Sequence, residues 1–64
     1  MDYGKRIKEL RESARMTQAE FAEAAQITQA HVSQIESGKL GLTVKTADKL
    51  CAALGITLSK LFEE

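Results

Sequence analysis

The sequence predicts an all-α domain, a compact bundle of five short helices. Apolar residues recur at helical spacing almost throughout, and no run alternates with period two. Threonines able to cap a helix stand at 17, 28, 43 and 57, each just ahead of such a run. Proline is absent, and glycines at 4, 38, 41 and 55 punctuate the chain. Sixty-four residues, 44% hydrophobic and 28% charged, make one small globular domain. A core of that size rarely supplies more than about 3–5 kcal/mol, so helix caps or a partner subunit carry weight.

Asp2 is a candidate N-cap for a first helix reaching about Ala14, with Tyr3, Ile7, Leu10 and Ala14 on one stripe. Thr17-Gln18-Ala19-Glu20 fits a capping box and opens a second helix to about Ala25, with Phe21 turned inward. Thr28 caps a third helix to about Glu36, and Ser37-Gly38 stops it, Gly38 suiting a left-handed C-terminal position. Thr43 opens a fourth helix with Ala47, Leu50, Cys51 and Leu54 on its apolar face, ended by Gly55. Thr57 caps a last short helix in which Leu58, Leu61 and Phe62 are apolar. Leu61 and Phe62 are expected to complete the core.

Composition excludes several kinds of function. No apolar run approaches the roughly 20 residues of a membrane span, and no signal-peptide pattern opens the chain. One cysteine and one histidine make neither an internal disulfide nor a four-ligand zinc site. There is no Cys-His pair, glycine-rich phosphate loop or ligand cluster, so neither an enzyme nor a cofactor is expected. Cys51, between Leu50 and Leu54 on an apolar stripe, reads as a small buried hydrophobe.

Nine basic and nine acidic side chains give zero formal charge, which as a total argues against a nucleic-acid binder. Their placement says otherwise. Residues 1–16 carry Lys5, Arg6, Lys8, Arg11 and Arg15 against Asp2, Glu9 and Glu12. Residues 17–38 carry only acids, Glu20, Glu23 and Glu36. Residues 39–49 carry Lys39, Lys45 and Lys49 against Asp48, and residues 50–64 carry Lys60 against Glu63 and Glu64. Basic segments therefore flank an uncharged stretch from Gln26 to Ile35.

That stretch lies in the most informative part of the chain, two short helices joined by about three residues, each opening with Thr-Gln. On a helical wheel Val32 and Ile35 define the buried side of the third helix. Ala30, Ser33, Gln34 and Ser37 lie opposite, with Gln29 and His31 on the flanks. Composition fits two readings of this face. It is either a neutral surface turned to water or a reader of base edges, for which glutamine pairs with adenine and small apolar groups touch the thymine methyl. His31 lies between core and groove and suits packing or a contact with DNA. The helix starts at Thr17 and Thr28 offer free amides to phosphate without formal charge.

Thr17-Gln18-Ala19-Glu20-Phe21-Ala22, Ile27-Thr28-Gln29 and the run from Val32 to Lys39 resemble the helix-turn-helix of the phage repressor and Cro-like, or xenobiotic-response-element, family. Ile7-Lys8-Glu9-Leu10-Arg11 and Ala53-Leu54-Gly55-Ile56 match as well, so the likeness spans nearly the whole chain. It implies a lambda repressor-like fold and a regulator that binds double-stranded DNA in the bacterial or phage-infected cytoplasm, at the nucleoid. Gln29 matches a base-reading glutamine, and Ala30, His31, Ser33 and Gln34 fill other groove-facing or flanking positions. Gln18 matches a glutamine that contacts phosphate and braces Gln29. Ser37 and Lys39 match positions that contact the DNA backbone. Arg11 and Glu36 resemble a pair in which glutamate orients the arginine near a phosphate.

Three positions depart from the family pattern. Gln26 stands where the turn usually has glycine, so strain or a shifted turn is expected there. Leu40-Gly41-Leu42 replaces a more polar loop, which puts an apolar group at a potential phosphate contact and sends Leu42 to the core. Asp48 stands at a usually apolar position and is expected to alter the face the fourth helix shows its neighbours. The resemblance implies a homodimer, expected through the last helix and the 40–42 loop. The rival is a protein-interaction module of the same fold that grips a toxin or another regulator, with Leu40, Leu61 and Phe62 as candidate contacts. Met1 reads as a native start and Glu63-Glu64 as no defined stop, which fits the DNA-binding part of a longer regulator too.

Overall fold

Side-chain oxygens placed one residue ahead of each helix set where the helices begin. The computed structural model describes residues 2–63; Met1 and Glu64 lie outside the described residues. Among the described residues the chain forms α1 (Tyr3–Ser13), α2 (Gln18–Ala25), α3 (Gln29–Glu36), α4 (Val44–Leu54) and α5 (Leu58–Leu61), with no strand. Asp2 accepts a hydrogen bond from the Lys5 amide at 3.0 Å. The hydroxyls of Thr17, Thr28, Thr43 and Thr57 accept from the amides of Glu20, His31, Thr46 and Lys60 at 3.0–3.2 Å. At Thr17 the box is closed, since the Thr17 amide donates to Glu20 Oε1 at 2.9 Å. Those bonds with Thr17 hold the Glu20 carboxyl below its ordinary range. Each such cap contributes about 1 kcal/mol, a large share of what a small core can leave.

The C-terminal ends follow one pattern too. α1, α2, α3 and α4 each close with a residue in the left-handed region, namely Arg15 (φ 59°), Gln26 (φ 60°), Gly38 (φ 82°) and Gly55 (φ 71°). The amide after each reaches back five residues: Met16 to Arg11, Ile27 to Ala22, Lys39 to Gln34, Ile56 to Cys51, at 3.0–3.2 Å. This is the Schellman closure, which satisfies carbonyls that the helix leaves unpaired. Two of the four ends achieve it without glycine, so the strain expected at Gln26 is present and Arg15 shares it.

α2 lies at the centre, packed against α3 and α4, while α1 lies on α3 and α5 on α4. Ile7, Phe21, Val32, Ile35, Leu50, Cys51 and Leu61 are buried, with Ala22, Ala25 and Ala47 filling the closest approaches. Leu42 packs on this cluster as expected. Asp48 is exposed and Ala47, Leu50 and Cys51 are buried, so α4 keeps the face its spacing predicts and the altered face does not arise.

Two expectations about the core are corrected. α1 ends one residue early, and its buried line runs through Gly4, Ile7 and Arg11 rather than from Tyr3 to Ala14. Ala14 is the exposed C-cap. Tyr3 and Phe62 are each 41% exposed and meet edge to face, ring centroids 5.2 Å apart. Both rings stand at the outer ends of their helices, where no further element among the described residues covers them. Of the pair assigned to the core, Leu61 is buried and Phe62 is not.

Gln26→Gly is expected to raise stability by about 0.5–1 kcal/mol, the relieved left-handed cost less the added freedom of glycine in the unfolded chain. A higher urea midpoint with an unchanged slope is the expected reading. A lower midpoint would remove the strain assigned to this turn.

Candidate nucleic-acid interface

α3 is joined to α2 by Gln26, Ile27 and Thr28, the three-residue turn predicted. Val32 and Ile35 fix its rotation by burial, at 1% and 2% exposed. Gln29, Ala30, Ser33 and Gln34 are therefore turned to solvent together, followed by Ser37. His31 is half-buried, between the two sides. Within the first turn of α3 the Thr28 hydroxyl takes the His31 amide. Among the described residues the Gln29 and Ala30 amides then have no protein partner. The same holds at the start of α2 for Gln18 and Ala19, beside the exposed Thr17. Free amides at a helix start suit an anion.

The far end of α3 is tied to the loop that follows. The Gln34 carbonyl accepts from the amides of Lys39 and Leu40, at 3.0 and 3.1 Å, and from the Ser37 hydroxyl at 3.2 Å. Lys39 is thereby held at the edge of the exposed face, with its side chain in solvent. Leu40 beside it is 42% exposed and Val44, at the start of α4, is 69% exposed.

Behind this face is a buried polar cluster. Arg11 Nε donates to Glu36 Oε2 at 2.7 Å and Arg11 Nη2 to Glu36 Oε1 at 3.1 Å. Arg11 Nη1 donates to the Met16 carbonyl at 2.7 Å. Gln18 Nε2 adds a bond to Glu36 Oε1 at 3.1 Å. The two charged side chains are only 10% and 3% exposed. The Glu36 hydrogen bonds hold the Arg11 guanidinium above its ordinary range, against the opposing effect of burial.

The structure thus brings Arg11, Gln18 and Glu36 together, and it corrects one expectation. Gln18 braces Glu36; among the described residues its side chain makes no hydrogen bond to Gln29. The acid that ends α3 is also compensated inside the protein, so it presents no free charge beside the exposed face. Met16 was not foreseen as a partner, because a backbone acceptor carries no residue signature. Cys51 is buried on the inner face of α4, where desolvation pushes its thiol up.

Removing one partner of a buried ion pair strands the other, at a cost of about 3–5 kcal/mol. Glu36→Ala is therefore expected to lose about 3 kcal/mol in urea unfolding, most of what a domain of this size holds. The double variant Arg11→Met, Glu36→Leu is expected to recover most of that loss. Additive losses in the double variant would contradict the pair as described.

Comparison with known proteins agrees with this geometry. A family model described as helix-turn-helix matches residues 7–61. The control protein C.MunI of Mycoplasma sp is 36% identical over 63 residues, covering 97% of this chain and 85% of that protein. The immunity repressor protein of Bacillus phage phi105 is 31% identical over 64 residues, of which this chain spans only 44%. The restriction-modification controller protein C.AhdI from Aeromonas hydrophila has a TM-score of 0.91 at 28% identity, covering 95% of this chain and 92% of that one. By its matched residues, its relatives and its fold, the chain belongs to the helix-turn-helix family of the phage repressor and Cro-like kind.

Proposed function

We propose that this protein is a transcription regulator of repressor type that binds double-stranded DNA sequence-specifically, laying α3 in the major groove. One observation carries the reading: Gln29, Ala30, Ser33 and Gln34 form an uncharged, exposed face on a helix whose opposite side is buried. Groove reading needs donors, acceptors and small apolar groups at this surface, and glutamine, serine and alanine supply all three. Gln29, Gln34 and Ser33 supply the hydrogen bonds, Ala30 a methyl contact, and half-buried His31 a contact at the flank. Lys39, Ser37 and the free amides of Gln18, Ala19, Gln29 and Ala30 position the DNA backbone, as phosphate contacts do. Arg11 and Gln18 hold this arrangement through Glu36, at the phosphate-facing start of α2. The protein acts by binding, and no cofactor enters.

Proteins of this architecture read two half-sites about 34–36 Å apart as dimers. A homodimer on a palindromic operator is the expected working form, through the end of α5 and the 40–42 loop. The exposure of Phe62 and Leu40 supports an apolar contact there. The same exposure favours a second reading, capture of a protein partner such as a toxin or another regulator.

Selection of binding sequences from random duplexes, at stated salt, decides between the two. A preferred sequence with salt-sensitive affinity supports DNA reading, and its absence together with a captured protein supports the other. Against the selected site, Gln29→Ala is expected to cost about 1–3 kcal/mol and relax one base pair, whereas Lys39→Ala weakens all sequences and lowers the salt slope by about one. Uniform weakening by the first, or an unchanged slope in the second, would remove that residue from its role. Light scattering is expected to give twice the chain mass of 7.0 kDa, and a monomer at all concentrations would exclude the dimer.

A further inference from the structure

Gly4 lies inside α1, where glycine is less favourable than alanine for the helix itself. Its surroundings explain the choice. A Cβ at Gly4 would run into the Ile35 carbonyl oxygen and stand 3.2 Å from the Glu36 carbonyl oxygen. At Gly38, Gly41 and Gly55 a Cβ would meet nothing within 4 Å. Gly4 is thus the glycine whose missing side chain lets two backbones touch, and both acceptors belong to the last turn of α3.

Glu36 is the residue whose carboxylate Arg11 and Gln18 hold. The last turn of α3 is therefore gripped twice by its neighbours, at its side chain by Arg11 and Gln18 and at its backbone by Gly4. α1 is itself anchored at several points along its length. Ile7 is fully buried, Arg11 is bonded to Glu36 and Met16, and Arg6 Nη2 donates to the Lys60 carbonyl at 3.1 Å. Beyond α3, by contrast, residues 37–43 contain no helix. Gln34, Ser37 and Lys39 sit at that end, linked through the Gln34 carbonyl.

We propose that Gly4 is a positioning residue for the reading helix, setting the seat of its C-terminal end and thereby the placement of Gln34, Ser37 and Lys39. The inference rests on the DNA-reading function above. A carbon–oxygen contact needs about 3.3 Å, so an added methyl parts the backbones by on the order of 1 Å. Spread along the roughly 12 Å of α3, that displacement tilts it by about 5°. Recognition groups need placement to about 0.5 Å, so the tilt degrades base reading while leaving charge unchanged.

The test uses the full chain, a duplex selected by the wild type and a random duplex. Gly4→Ala is expected to bind the selected duplex tenfold or more weakly, with affinity for the random duplex within twofold, at a temperature where circular dichroism shows the native helix content. Its thermal midpoint is expected to fall, although this exchange inside a helix ordinarily raises it. Asp2→Ala, a milder change, removes the α1 cap and loosens the turn that carries Gly4. Loss of an acid would by charge alone strengthen binding to every duplex. The expected result is weaker binding to the selected one only. Residual dipolar couplings of Gly4→Ala without DNA are expected to show α3 tilted against α2 by about 5°.

A raised midpoint with unchanged affinity for the selected duplex overturns the inference. If Gly4→Ala does not fold, Asp2→Ala decides, and selective weakening supports the inference while stronger or unchanged binding overturns it. If the wild type selects no duplex, the DNA reading itself fails. The dipolar couplings then decide for Gly4 independently, and an unmoved α3 overturns its role.

Discussion

The carboxylate of Glu36 is where three helices meet. It ends α3, accepts two hydrogen bonds from Arg11 of α1 and one from Gln18 of α2, and is almost wholly removed from water. Arg11 also takes the Met16 carbonyl, tying the end of α1 to the segment that leads into α2. Apolar contacts such as Val32 and Ile35 supply burial but tolerate small slides and repacking. A buried bidentate pair does not, because leaving either charge unmatched in low dielectric costs several kcal/mol. Burial of Val32 and Ile35 turns the outward face of α3 to solvent, and this directional constraint fixes its end against α1 and α2.

The same cluster resolves the electrostatics of the exposed face. Of the acids between residues 17 and 38, the one at the end of α3 is matched internally by Arg11. What remains on α3 is neutral. On the proposed reading, phosphate attraction comes from flanking lysines and free helix-start amides, and discrimination from Gln29 and its neighbours. A chain of zero net charge then has modest affinity for arbitrary DNA, since electrostatics dominates non-specific binding. On that reading base contacts and the proposed second subunit supply the rest.

Much of this architecture was legible locally. Caps involve residues three apart, so Thr17, Thr28, Thr43 and Thr57 mark the helix starts before any tertiary contact exists. Gln26 was legible as a strained turn because it stands where the family it resembles usually has glycine, and it does take the left-handed conformation. The Arg11–Glu36 pair was visible through family resemblance, and no periodicity joins residues that far apart. Tyr3 and Phe62 were misplaced for a definite reason. Helical spacing tells which side chains share a stripe but not where the neighbouring element ends, and both rings lie beyond that edge.

The sequence by itself determined the five helices, their caps, the buried side of α3 and the uncharged character of the side opposite. These depend on residue type and on spacing within one or two turns, which the chain carries before it folds. Only the tertiary structure decided that Gln18 turns to Glu36 rather than Gln29, that α1 meets α3 backbone to backbone at Gly4, and that Phe62 stays at the surface. Each depends on which distant groups arrive within hydrogen-bond or van der Waals reach. That is settled when the helices pack, because contacts of a few ångströms between elements leave no periodic trace in either one.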